Sequence, residues 1–226
     1  MRAITALVAT LSLPIVAHAV PVTWEARGVV DSSTLDPLFF ETFMPELAGT
    51  KVGDDFRLRI SFDTDAVPIA PGGGGTRSFD ATSLIMTLHV PGLGTHVFTI
   101  DTSVPPGPHS LIGIRDDQVV GDMVSDGVQF QHNYLTPDGI LQLQFLVAFF
   151  TADTSVINGL FLPMTPDPRL VTGIDQLLSI HAHPPELGNL TGVITSLVRV
   201  PEPGSLALFA LGLCVPWAVR RQAAIA

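Results

Sequence analysis

Asp63 and Asp65 sit two residues apart where an alternating apolar run ends. That spacing offers two carboxylate oxygens to a hard cation, and calcium takes roughly six to eight oxygens, often from closely spaced aspartates. Asp116, Asp117, Asp122 and Asp126 form a second acidic group, and Asp54-Asp55 a third. An Asp-x-Asp-x-Asp-Gly loop is absent. Aspartate is also a common turn former, because its side chain accepts hydrogen bonds from nearby backbone N–H groups. Turn capping is the favoured account. No metal site is assigned, with Asp63 and Asp65 kept as candidates for calcium, and no other cofactor is implied.

Other chemistry has less support. His181 and His183 would share one face of a strand and could begin a zinc site, but Pro184-Pro185 suggests a strand edge where exposed histidines are unremarkable. The chain has no Gly-x-Ser-x-Gly elbow and no His-Glu-x-x-His pair. Gly72 to Gly75 lead into Thr76-Arg77, without the Lys-Ser/Thr pair of a phosphate loop. A glycoside hydrolase needs two carboxylates at a set separation, which spacing alone does not establish. Among large aromatic platforms for sugar the body has Trp24 and Tyr134, and its phenylalanines read as core. No catalytic residue is assigned, and the expectation is a protein that is not an enzyme.

The elements that position these residues read as strands. Phe56, Leu58, Ile60 and Phe62 alternate with Arg57, Arg59 and Ser61, the period-two pattern of a strand with one buried face. Similar patterns cover residues 22–30, 83–90, 96–100, 127–134, 140–150, 176–182 and 192–200. Residues 140–150 alternate at first, Leu141, Leu143 and Phe145 against Gln142 and Gln144, and then become apolar throughout, as in a central strand buried on both sides. Thr136-Pro137-Asp138-Gly139 marks the clearest hairpin. Residues 33–47, with Phe39, Phe40, Phe43 and Met44, read as a short helix or buried loop covering one end of the core. Residues 66–76, rich in proline and glycine, read as a flexible surface loop. About eight strands in one domain, with no long internal repeat, point to an all-β fold: a two-sheet antiparallel β-sandwich of jelly-roll or immunoglobulin-like type.

Composition narrows the function classes. Setting aside Arg2, Arg220 and Arg221 in the chain ends, 8 basic residues stand against 20 acidic ones over residues 20–200, a net charge of about −12. Such a surface opposes nucleic acid, whose phosphates require cationic neutralisation. The only cysteine, Cys214, lies near the C-terminus, so residues 20–200 have neither disulfides nor thiolate ligands.

Both ends carry handling signals. Arg2, an apolar stretch over residues 3–16 and the small-x-small pattern of Ala17, His18 and Ala19 describe a signal helix cut by signal peptidase after Ala19. At the other end Pro201-Glu202-Pro203 precedes an apolar run over residues 206–219 and the basic pair Arg220-Arg221. Fourteen helical residues rise about 21 Å, short of a hydrocarbon core of about 30 Å. Arg220 and Arg221 would stay cytoplasmic. The run reads as a single membrane helix that holds the protein temporarily.

In Pro201, Glu202, Pro203, the apolar run, Arg220 and Arg221, the chain resembles the PEP-CTERM class of bacterial exported proteins. Departures are the short span, Pro216 within it and the five residues after Arg221. The stretch from Val52-Gly53-Asp54 to Phe62-Asp63-Thr64-Asp65-Ala66 also looks like a pattern frequent in that class. The resemblance implies recognition by an exosortase, which removes the C-terminal segment and passes the body outward. The expected organisation is a signal peptide over 1–19, a β-sandwich over 20–200 and a sorting signal over 201–226. The expected product is a structural protein of the cell surface or extracellular matrix, transiently at the membrane, with extracellular polysaccharide as a partner. The alternative is a carbohydrate- or calcium-binding surface module.

Overall fold

A computed structural model describes residues 21–70, 74–99, 110–120, 122–135, 141–173, 175–182 and 187–201. Eleven strands fold into one sheet: β1 (Pro21–Ser33), β2 (Asp55–Asp63), β3 (Val67–Ala70), β4 (Thr76–Asp80), β5 (Ile85–Val90), β6 (Gly94–Phe98), β7 (Ser110–Val120), β8 (Met123–Leu135), β9 (Leu141–Thr151), β10 (Asp175–Ala182) and β11 (Asn189–Val200). Their order is β3-β4-β7-β8-β9-β10-β11-β1-β2-β5-β6, and the paired neighbours are antiparallel. The all-β antiparallel expectation holds. The division into two sheets is corrected, because the β9-β10-β11-β1 ladders join both halves without a break.

Short connections force this sheet to curl. β2 and β3 are eight places apart in strand order, about 38 Å in a flat sheet at 4.8 Å per strand. Only residues 64–66 join them, a reach of about 14 Å. The link from β4 to β5 crosses the same eight places through residues 81–84. It is pinned at both ends: the Ala81 N–H donates to the Ser110 carbonyl on β7, and the Asp63 N–H on β2 donates to Ser83 Oγ. The two ends of the sheet therefore fold over each other and trap one core between them.

The core is aromatic at its centre. Trp24 on β1 meets Phe62, Phe130 and Phe149 edge-on, with ring centroids 5.7, 5.4 and 6.4 Å apart. Phe98 on edge strand β6 stacks on Phe145 of β9 at 3.9 Å. Apart from Trp24–Phe62 on neighbouring β1 and β2, these contacts cross between strands that are not sheet neighbours. On β2 the predicted alternation is realised, with Phe56, Leu58, Ile60 and Phe62 buried. β9 alternates at first as expected, with Leu143 and Phe145 buried and Gln144 half-buried; its apolar end is buried on both faces only over Val147, Ala148 and Phe149, while Leu146 and Phe150 are half-buried.

Residues 33–47 do cap one end. Asp36 accepts a hydrogen bond from the Leu38 N–H and starts the helix α1 (Pro37–Phe43), followed by a 3-10 turn over Pro45–Leu47. Phe39, Phe40, Met44 and Leu47 are buried there. The loop expected over 66–76 instead supplies β3 and the start of β4, beyond the masking effect of its prolines and glycines. Pro68 is tolerated because β3 is a four-residue edge strand. The signal helix over 1–19, the membrane helix over 206–219 and the turn over 136–139 lie outside the described residues. Among the described residues no helix is long and apolar enough to cross a membrane.

Candidate functional site

Among the described residues, the calcium candidates Asp63 and Asp65 do not gather a third carboxylate. Asp63 is half-buried at the end of β2 and Asp65 is exposed in the following turn. The acidic residues that do converge are Asp116, Asp117 and Asp126, with one carboxylate oxygen from each lying within 4.8 Å of the others. A β-bulge brings them together. Arg115 pairs with Gly127 and Gln118 with Ser125, so Asp116 and Asp117 on β7 both oppose the single residue Asp126 on β8. Asp117 takes a left-handed φ of 52° to make the extra residue fit.

These carboxylates are already at work on the backbone. Asp126 is buried, and its two oxygens accept from the Asp117 N–H at 2.9 Å and the Ile157 N–H at 2.7 Å. Asp116 accepts from the Gly159 N–H at 2.8 Å. Asp122 is exposed and stands outside the group. The cluster thus fastens the irregular segment after β9 onto the β7-β8 bulge through long-range bonds, in place of the local turn capping expected. Asp54 does the same work locally, accepting from the Lys51 N–H.

His181 shares a 2.6 Å hydrogen bond with Ser179 on its own strand, and His183 lies outside the described residues. A different pair was missed from sequence. Ser110 on β7 and His132 on β8 are cross-strand partners and share a hydrogen bond. Both are buried. Burial pushes the His132 imidazole down to about 4, the Leu84 backbone offsetting part of the effect. The ring is neutral near pH 7 and the pair is closed to a substrate, so it acts within the core.

Charge collects on the outer face of β1 and β2. Glu25 pairs with Arg59 and Arg27 with Arg57 in the ladder, so four charged residues form a two-by-two block. Glu25 Oε1 accepts from Arg27 Nη2 at 3.0 Å and lies 3.3 Å from Arg57 Nε, while Oε2 accepts from Arg59 Nε at 3.2 Å. Burial opposes ionisation of Glu25, but the hydrogen bonds from Arg27 and Arg59 and the charges of Arg57 and Arg27 hold its carboxyl below the usual range. Grooves of about 460 and 280 Å³ run along this face and share Arg57 and His89. The arginines were legible as the polar side of β2; their convergence on Glu25 required the β1-β2 register.

The end of the sheet positions the C-terminal signal. Val200, the last residue of β11, pairs with Thr23 near the start of β1, and Pro201 follows directly, exposed. The remaining sorting residues, Glu202, Pro203, Arg220 and Arg221, lie outside the described residues, as do Ala17 and Ala19. Residues 199–222 match the model of the PEP-CTERM protein-sorting motif.

The chain carries a PEP-CTERM sorting motif.

That motif implies an exported protein processed by exosortase, with a membrane-anchored sorting signal. The PEP-CTERM match begins at Arg199, inside the paired end of β11, so the signal starts where the folded body stops. No curated protein and no solved structure matches the chain.

Proposed function

We propose that this PEP-CTERM protein is a structural component of the cell surface or extracellular matrix, released there after transient membrane anchoring rather than acting as an enzyme. The observation that carries the reading is the junction at Val200 and Pro201: an all-β body passes into the sorting motif without a linker. A body held this way is exported as one folded unit and left outside once the tail is removed. The buried Ser110-His132 pair and the backbone-capping aspartates support a structural role, since both stabilise the sheet. The jelly-roll comparison remains useful only as a picture of two packed layers, here made from one curled sheet.

The test is the C-terminal mass of surface-located and released molecules, combined with deletion of the gene. The expected product lacks Arg221, and deletion reduces matrix or surface-retained material. Surface molecules that keep Arg221 would overturn the processing claim. Turnover of a polymer by the purified protein would overturn the structural one.

A further inference from the structure

The block formed by Glu25, Arg27, Arg57 and Arg59 is unbalanced in a way that points outward. Three guanidiniums share one carboxylate, and the chain has a net charge of −10. Arg27 and Arg57 stand directly opposite each other in the ladder, an arrangement of like charges that disfavours the sheet. Exposure separates the two signs. The Glu25 side chain is 9% exposed, whereas those of Arg27, Arg57 and Arg59 are 60%, 43% and 52% exposed. Solvent therefore meets the cations and not their counter-charge. Asp55 is the other carboxylate on the groove, at its end beside Val29, and leaves the face net positive.

The geometry is an open track. Arg57 and Arg59 project from one strand about 7 Å apart, with Arg27 alongside Arg57 on the next strand. His89 and Thr87 continue the same face on β5, opposite Arg57 and Arg59. His89 Nδ1 is tied to Thr95 Oγ1 at 2.9 Å, so this flank is fixed and polar. Guanidinium groups match carboxylates in planar, two-point fashion, and here each arginine reaches only one Glu25 oxygen.

We infer that this arginine groove on the outer face of β1, β2 and β5 binds an acidic polysaccharide through its carboxylate groups. The polysaccharide fits better than duplex nucleic acid for two reasons. Nucleic acid carries about one negative charge per 1.7 Å, which the surrounding acidic protein repels, whereas a uronate chain carries one charge per sugar. The hydroxyl and imidazole flank supplies partners for sugar hydroxyls between the charged contacts. This goes beyond the structural role by naming what the surface holds, and it rests on that reading only for the setting.

The test is calorimetry on the purified exported protein with polygalacturonate, and with neutral dextran, polyglutamate and duplex DNA as comparators. Polygalacturonate is expected to bind, weakening at least tenfold from 20 to about 200 mM salt as the charges are screened, while dextran shows no heat. Arg57→Gln, at a half-buried position, and Arg59→Gln, at an exposed one, are each expected to weaken binding about tenfold while the protein stays folded. Circular dichroism checks that each variant is folded, and Arg169→Gln, which lines neither groove, should bind as the parent does. Absent polygalacturonate binding, unchanged binding in the double variant, or equal binding of polyglutamate or DNA would each overturn the assignment. Such a failure leaves the matrix role to the deletion and mass experiments, and loss of the matrix role leaves binding in solution intact.

Discussion

The ring of Phe56 lies across Gly28, its direct partner in the β1-β2 ladder, so closely that a Cβ on Gly28 would come within 2.5 Å of the ring. The same ring approaches Gly192 on β11, where an added Cβ would meet it at 2.6 Å. One aromatic side chain thus covers two glycines on adjacent strands, and the ladder closes only because both lack side chains. Gly28→Ala is expected to destabilise the protein by about 1–3 kcal/mol through overpacking. Phe56→Ala should cost about 3–5 kcal/mol through the cavity it leaves. A Cβ on Gly28 would also press on the Val193 carbonyl of β11, so urea unfolding checks both variants, and a neutral Gly28→Ala would show that ring and carbonyl both give way.

Asp126 offers a second test. It fastens Asp117 and Ile157 through both oxygens while buried, so Asp126→Ala leaves two backbone N–H groups without their acceptor. The expected loss is about 2–6 kcal/mol, at about 1–3 per unsatisfied group. Hydrogen exchange should speed up at Ile157 and Gly159 before the rest of the sheet. Uniform protection across that segment in the variant would contradict the fastening role.

His132 makes stability depend on mild acid. Its folded pKa of about 4 lies below the ordinary value of 6.5, so the unfolded chain takes up the proton first as pH falls. The stabilisation is full above pH 6.5 and is lost progressively as pH drops toward 4. The expected contribution is a loss of about 2 kcal/mol between pH 7.5 and 5, at about 1.36 kcal/mol per unit. His132→Gln should flatten that part of the profile. An identical slope in the variant would assign the acid sensitivity elsewhere.

Glu25 titrates in a different window. Its carboxyl is held below the usual value of 4.5, so its contribution is present above that value and disappears as pH falls through the lowered folded value. Glu25→Gln removes the shared counter-charge of three arginines and is expected to cost about 1–3 kcal/mol near pH 7. The cost should shrink in high salt, which screens the exposed guanidiniums. A cost that is the same at 1 M salt would mark the Glu25 contribution as packing rather than charge.

Much of this was readable before any coordinates. β2 announced itself because one face is buried and the other solvated, which writes alternation directly into Phe56 to Phe62. The PEP-CTERM tail was readable because its signal is a linear order of residues. β7 was hidden, since only Ile112 and Ile114 mark its buried face and Asp116-Asp117 read as a turn when they form a bulge. The single sheet was hidden for a different reason. Whether β10 hydrogen-bonds β9, β11 or both depends on strand neighbours, and local periodicity carries no such information. Asp116, Asp117 and Asp126 met through a two-against-one register, and Glu25 met its arginines through another. Residue types announced these chemistries; pairing decided which of them came together.

The exit of the chain from β11 has a mechanical consequence. β11 is an interior strand, paired with β1 from Thr23 opposite Val200 to Ser33 opposite Leu190, and with β10 on its other side. A pull on the tether along the strand loads these antiparallel ladders in shear, so many hydrogen bonds resist together instead of peeling one by one. An edge strand such as β6 would unzip under far less force. A C-terminal tether would thus grip the protein by an interior strand, and tension along that strand meets the sheet in its stiff direction.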